Sequence, residues 1–465
     1  MTDAAKPEYD WSGYGFDTRQ VHAGEAEDLS YNARITPVYL GNAFRFDSLE
    51  HAFERFTGAT PGQLYSRSVN PTNAVAERRI ASLEGGAGAI AVGSGAAAIT
   101  SALLTILAAG DHFVSTASIY SGTRILFDGV LARAGIAVDY LWDWRDPQEW
   151  ARTIRPDTKA IFTETIPNPK NDVVDIAAVA AVARDAGVPL VVDNTVATPY
   201  LTRPLEDGAS IVVHSATKFL AGHGAVLAGA IVDGGTFDWE ASGHHFGLIT
   251  DRPASGVPSF LERYGIAHAF EEAARSAVVN NTGPALSPLN AFLLQQGMET
   301  LSLRMERHLE NARAIAEWLD RQPEVESVDY AGLPGHPDHE VAQRIYGGRP
   351  GAVFAFTVRG GQEGATAFYD GLRVFSRMTN IGDLRSMALH PATTTHVSFT
   401  PELRARLGIH PGLIRLSVGI ETVDDLIADL RQALDRVSGL AAADVATVSF
   451  GPESPSDFRV SGPDT

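Results

Sequence analysis

From about residue 73 the chain alternates between short apolar runs and longer amphipathic ones. Ala89–Val92, His112–Val114, Ala137–Leu141, Ala160–Thr163, Val188–Val192 and Ile211–His214 are brief, rich in β-branched residues and bounded by turn formers, which predicts buried strands. Between them Asn73–Leu83, Ala96–Ala109, Thr123–Ala134 and Ile176–Ala186 predict helices, the first ending at Gly85-Gly86, a C-cap signal. Strands alternating with helices predict an α/β fold with a mostly parallel sheet covered on both faces. Ile266–Asn280 and Gly297–Arg321 predict long helices. After them, Val325–Tyr330, Val353–Val358, Val374–Ser376 and Ile414–Ser417 predict strands of a second, smaller α/β domain. Tyr31–Thr72 holds neither period and is full of aromatic and turn residues, which suggests an extended arm packed on something else. Residues 1–18 and about 440–465 are rich in Pro, Gly, Ser and Asp and read as poorly ordered ends. The resulting organisation is an arm over 1–72, a large domain over 73–280, a C-terminal domain over 281–438 and a flexible tail over 439–465, without internal repeats.

Composition narrows the function classes. A formal net charge of −19 argues against a nucleic-acid or anionic-membrane surface, while leaving room for a local basic pocket. Cysteine is absent, which excludes disulfides, thiolate metal sites and cysteine nucleophiles. Neither a secretory pattern nor a bilayer-length apolar run is visible, so a cytoplasmic location is the expectation. Among 37 Lys and Arg residues only Lys6, Lys159, Lys170 and Lys218 are lysine. Lys218 closes the run Ile211-Val-Val-His-Ser-Ala-Thr-Lys218 at a strand end. Lysine can lose its proton and condense with a carbonyl, which arginine cannot do.

In an open α/β sheet, ligands bind outside the carboxyl ends of the strands, so the residues just past each strand are where a site should be sought. Those ends offer Gly93-Ser-Gly95-Ala96 opening a helix, Glu164 with the loop to Asn168, Asp193-Asn-Thr195, and Ser215-Ala-Thr217-Lys218. The glycine turn presents amides and a helix dipole to a phosphate, which Ser215 and Thr217 can also reach. Asp193 can hold a ring nitrogen protonated, and Lys218 can condense with an aldehyde. These are the parts of a pyridoxal-phosphate site. The glycine turn also fits a nicotinamide fingerprint loosely, but that reading needs an acidic residue ending the next strand, and Asp111 precedes its strand. Neither the His390/His396 spacing nor the adjacent His244-His245 puts metal ligands on one helical face, so no metal site is predicted.

The motifs Ser215-Ala-Thr-Lys218, Val192-Asp-Asn194, Tyr65-Ser-Arg67 with Asn70-Pro-Thr72, and Arg415-Leu-Ser-Val-Gly-Ile-Glu421 resemble the Cys/Met-metabolism family of pyridoxal-phosphate enzymes, from about Phe16 to Val437. The resemblance implies a fold-type I pyridoxal-phosphate-dependent transferase, assembled as a homotetramer of dimers with shared active sites. It implies that Lys218 carries the cofactor, that Tyr120 stacks on its ring and that Gly95 and Ala96 give amides to its phosphate. Asn168 would bond the ring oxygen, and Tyr65 and Arg67 would reach a neighbouring subunit's phosphate. Arg415 would grip the substrate carboxylate, with Asn380 beside it, and Tyr120 and Tyr65 would assist proton transfer. Gly297-Met-Glu-Thr-Leu301 with Arg304, Asn380–Ser386 and His390–His396 resemble the branch that acts on O-acetylhomoserine with sulfide or a small thiol. Cystathionine γ-synthase and γ-lyase chemistry are the neighbouring alternatives within the family. Methionine γ-lyases usually carry cysteine after the stacking tyrosine, where this chain has Ser121. The sequence departs from the sulfhydrylases at Ala96, Ala216, Thr165–Pro167 and Gly224–Ala228, all near the predicted site.

Overall fold

A computed structural model describes residues 10–25, 31–60 and 62–442. Residues 1–9 and 443–465, which include most of the expected tail, lie outside the described residues.

Seven strands form the first sheet: β1 (Gly88–Val92), β2 (His112–Thr116), β3 (Ala137–Leu141), β4 (Thr158–Glu164), β5 (Leu190–Asp193), β6 (Ile211–His214) and β7 (Gly229–Asp233). Their order is β1-β7-β6-β5-β4-β2-β3. The pairs from β6 to β3 are parallel, whereas β7 runs antiparallel to both β6 and β1. A strand flanked by two antiparallel partners leaves β1 pointing the same way as β6, so the carboxyl ends of β1, β4, β5 and β6 share one edge. Successive residues feed opposite faces, as the period-2 pleat requires. Val191 belongs to the apolar cluster with Phe113, Phe127 and Phe162, and Leu190 and Val192 to the one with Ile161 and Val179.

The second sheet has the order β10-β11-β12-β9-β8, from β8 (Val325–Asp329), β9 (Val353–Val358), β10 (Ser376–Arg377), β11 (Met387–Leu389) and β12 (Leu413–Ser417). One apolar cluster runs from Ala76 and Ile80 beside the first sheet to Phe354, Phe356 and Leu430 around the second, so the two sheets share a continuous core.

Several elements differ from the sequence reading. Strands β7 and β11 were not predicted; each is short and flanked by irregular polar or glycine-containing chain, which hides its period. The predicted helix 297–321 is two helices, Pro288–Met298 and Leu301–Leu319, broken at Glu299-Thr300. The predicted strand over 374–376 is β10, displaced to Ser376–Arg377. The arm is not wholly irregular: it contains the helix Leu49–Thr57, capped by Ser48 and closed by Gly58, and none of its residues is buried. The helix Val423–Ala442 runs past residue 438, where the tail was expected to begin. No helix among the described residues is long and apolar enough to cross a membrane.

Candidate active site

The shared strand edge opens onto a cavity of about 340 Å³. At one end the chain turns from β1 into the helix Gly95–Ile106. Ser94 is the N-cap: its Oγ accepts from the amide of Ala97 and its carbonyl from that of Ala98. The amides of Gly95 and Ala96 are first-turn donors that no helical carbonyl can reach, and both residues line the cavity. Gly95 sits so close to β6 that a Cβ there would lie 2.5 Å from Ser215 Cβ and 2.7 Å from its Cα. The cradle therefore depends on a missing side chain. Ser215 and Thr217 line the same end. Thr217 Oγ1 is already tied to both the carbonyl and the amide of Ala228.

Glu164 and Asp193 form the floor. They are register partners at the ends of β4 and β5, so their carboxyl groups lie side by side. Burial first, and the neighbouring Asp193 second, push Glu164 well above the usual carboxylate range, although it accepts from the amide of Tyr120 at 2.7 Å. Burial also raises Asp193, against the lowering effect of the Thr195 amide and hydroxyl that bond its Oδ1 and of the nearby His214. Two adjacent buried carboxyl groups resist ionising together, so Glu164 favours its protonated form beside Asp193. Above them Tyr120 is 45% exposed and lines the cavity, so it is not a core tyrosine. Its ring lies over Gly122, where a Cβ would meet Tyr120 Cε1 at 2.4 Å.

Lys218 Nζ donates to Asn380 Oδ1 at 2.6 Å. Burial, with a smaller contribution from Arg415, lowers its pKa to about 8, so a sizeable fraction is neutral amine near neutral pH. The loop bearing Asn380 can pass this close because Gly382 has φ +71 and a Cβ there would lie 2.7 Å from the amide nitrogen of Phe219. Opposite, Arg415 projects from β12 of the second sheet and is 4% exposed. Its Nη1 donates to Asn168 Oδ1 at 3.2 Å and its Nη2 to the Asn380 carbonyl at 3.0 Å, while Nε has no partner. No carboxylate pairs with it among the described residues, and burial lowers its pKa to about 10. An unpaired buried guanidinium is an anion site awaiting its anion.

The structure thus gathers Gly95, Ala96, Tyr120, Glu164, Asn168, Asp193, Ser215, Thr217, Lys218 and Arg415 around one cavity, with Asn380 touching Lys218. It does not bring Tyr65 and Arg67 into that cavity. Arg67 instead lies over the Tyr65 ring and reaches Asn280 Oδ1 at 3.4 Å. Thr379 and Val196 also line the site and were not singled out from sequence; Thr195, named there at the end of its strand, proves to be the Asx-turn partner two residues past Asp193. The chain's residues fit pyridoxal phosphate: free first-turn amides beside the Ser215 hydroxyl at a glycine cradle, an aromatic face, a carboxyl floor and a neutralisable lysine stand in one concave space. Away from this site, Asp172, His336 and Asp338 lie close enough together to hold a metal ion. There Arg145 already bonds Asp338 through two nitrogens and pairs with Asp172, so a guanidinium supplies the positive charge.

Comparison with known proteins agrees with this geometry. The sequence pattern of "Cys/Met metabolism PLP-dependent enzyme" matches residues 17–435. An O-acetyl-L-homoserine sulfhydrylase of Corynebacterium glutamicum is 46% identical, over 91% of this chain and 98% of that protein. An L-methionine gamma-lyase of Pseudomonas putida is 40% identical, over 90% of this chain and 97% of its own length. Among solved structures, one from Campylobacter jejuni, provisionally identified as an O-acetylhomoserine (thiol)-lyase and containing N'-pyridoxyl-lysine-5'-monophosphate, superposes with a TM-score of 0.86. It is 32% identical and covers 91% of this chain and 100% of that one.

Proposed function

This chain belongs to the Cys/Met metabolism PLP-dependent enzyme family, with the fold-type I architecture, and from that premise we propose that it replaces the acetate of O-acetyl-L-homoserine by sulfide or a small thiol. The products are L-homocysteine, or L-methionine, and acetate, a step of methionine biosynthesis. The observation that carries this reading is Arg415, a buried cation without a counter-ion in the same cavity as Lys218 and the Glu164–Asp193 floor. It fits the α-carboxylate of an amino acid whose amine then faces Lys218.

Pyridoxal phosphate, when bound, withdraws electrons from the carbons next to the substrate amine and makes their protons removable. Gly95, Ala96, Ser215 and Thr217 would hold its phosphate, Asp193 its ring nitrogen, Asn168 its ring oxygen and Tyr120 its face. Lys218 Nζ takes the Cα proton as a neutral amine, gives it up to solvent, and as a neutral amine again takes a proton from Cβ; the lowered pKa suits both the taking and the release. Loss of the second proton lets acetate leave Cγ with its bonding electrons; hydrosulfide adds there, and the two protons return to Cβ and Cα. The Tyr120 hydroxyl assists these transfers. Tyr65 and Arg67, outside their own chain's cavity, serve that of a neighbouring copy in a homotetramer of dimers.

The discriminating experiment incubates the purified protein with O-acetylhomoserine, with and without sulfide. Homocysteine is expected only with sulfide; 2-oxobutyrate and ammonia as the main products would overturn the reading in favour of a γ-lyase.

A further inference from the structure

The turn that follows Lys218 is held by a buried cation that the proposed chemistry does not use. Arg304 lies in the first turn of the helix Leu301–Leu319 and is 5% exposed. Its Nη1 donates to the Phe219 carbonyl at 2.7 Å, and its Nη2 to the carbonyls of Leu220 at 3.3 Å and Gly297 at 2.6 Å. Its Nε donates to Thr300 Oγ1 at 3.3 Å. All four acceptors are neutral, and no carboxylate pairs with the guanidinium among the described residues. Burial lowers its pKa to about 10, which leaves it charged at neutral pH. The backbone around it is shaped to receive it. Gly297 stands at the carboxyl end of the helix Pro288–Met298, where the last carbonyls attract a cation. At Gly222, where φ is +70, a Cβ would lie 2.2 Å from Arg304 Nη1.

A buried guanidinium without a counter-ion is costly, and an apolar side chain would fill the same space without desolvating a charge. What only arginine supplies is a planar fork of N–H donors that serves carbonyls on two chain segments at once. Phe219 and Leu220 are buried, and no backbone amide among the described residues reaches either carbonyl. Without Arg304 both would lack a partner, so the turn would have to move to find one. Lys218 is the residue just before them. Its amide donates to the Ser215 carbonyl at 3.1 Å and its carbonyl accepts from the Gly222 amide at 2.7 Å, so the turn fixes where the lysine side chain starts. The Asn380 loop rests on the same turn, through the Leu384 amide that donates to the Gly222 carbonyl at 3.0 Å. A displacement of about 1 Å at a reacting group can cost roughly 100-fold in rate. The lowered pKa of Lys218 comes from burial and Arg415, so Arg304 acts on its place and not on its charge.

We propose that Arg304 is a positioning residue for Lys218, its fork fixing the turn from Phe219 to Gly222 so that Nζ meets the reacting carbon. The proposal rests on the reading of Lys218 as the cofactor-bearing base. Its test compares the wild type with Arg304→Lys, which keeps the charge and loses the fork, and with Gly222→Ala, which keeps the arginine and crowds it. Stopped-flow absorbance follows uptake of pyridoxal phosphate by each apoprotein. Proton NMR in heavy water then follows exchange of the Cα hydrogen of L-norleucine by each loaded enzyme, alongside thermal melting. Norleucine has no leaving group on Cγ, so exchange reports the Cα step whatever γ-chemistry follows. Arg304→Lys should slow uptake and lower the maximal exchange rate per bound cofactor roughly 10- to 100-fold, while half-saturation by norleucine stays within about threefold because Arg415 is untouched. Gly222→Ala shifts both rates the same way, and decides the matter if Arg304→Lys fails to fold. Rates per bound cofactor within about twofold of wild type in the deciding variant, even with a lowered melting temperature, would overturn the proposal; so would weakened half-saturation without a fall in rate. Absence of cofactor uptake or of exchange in the wild type would instead overturn the reading of Lys218. Exchange without homocysteine formation from O-acetylhomoserine and sulfide would overturn only the proposed reaction.

Discussion

Burial acts on Lys218 and Arg415 in the same direction but to different effect. Lys218 falls to about 8, within reach of neutral pH, while Arg415 at about 10 stays charged. Uptake of pyridoxal phosphate by apoprotein should therefore accelerate as pH rises through about 8, because only the neutral amine condenses, and level off above it; stopped-flow absorbance measures this. Lys218→Ala should abolish both turnover and the visible band of the bound cofactor. Arg415→Lys keeps the charge but loses the bidentate fork, so the KM for O-acetylhomoserine should rise roughly 10- to 100-fold, the equivalent of about 1.5–3 kcal/mol for a charged hydrogen bond. Asp193 carries a different signature. Its folded pKa is raised, so its contribution to stability is present below the unfolded value and lost as pH rises through the folded one. The neutral isostere Asp193→Asn should then melt higher than wild-type apoprotein at neutral pH while binding the cofactor more weakly, a trade-off that scanning calorimetry and absorbance titration can separate.

At the scale of elements, the site depends on close approaches between strand ends. Gly95→Ala would place a methyl against Ser215, and the helix or β6 must move to admit it. A cost of about 1–3 kcal/mol in apoprotein stability is expected, with a larger fall in cofactor affinity, measurable by denaturant unfolding and titration. The parallel block from β2 to β6 was legible because apolar runs alternate with amphipathic ones. Strand β7 was not, because Gly229 begins it: a Cβ there would strike the Ser94 carbonyl at 2.0 Å, a requirement that only the folded neighbour explains. The break at Glu299-Thr300 was hidden for a related reason. Both flanking helices are apolar on their buried sides, and the change of direction follows from where those sides must pack.

For the whole molecule, the arm raises the question of what completes the site. Tyr65 and Arg67 lie outside the chain's own cavity, and the arm helix leaves Leu49, Phe53 and Phe56 exposed. If arms serve neighbouring copies, mixing inactive Lys218→Ala with inactive Arg67→Ala subunits should restore turnover, since some mixed sites then hold both residues. No recovery after verified subunit exchange would show that each chain uses its own arm.

The sequence by itself determined the chemistry that is available. Lys218, Asp193 and the Gly93–Ala96 turn are legible because each needs a particular side chain, or none, at a strand end, and local pattern shows where strands end; Arg415, in the middle of β12, is legible only through the motif that carries the family resemblance. Tertiary structure alone decided what those groups experience. That Arg415 has no carboxylate partner, that Glu164 and Asp193 lie side by side, and that Arg304 reaches the Phe219 carbonyl across 85 residues are facts of packing between distant segments. Burial and charge proximity act through space, and a one-dimensional pattern records neither.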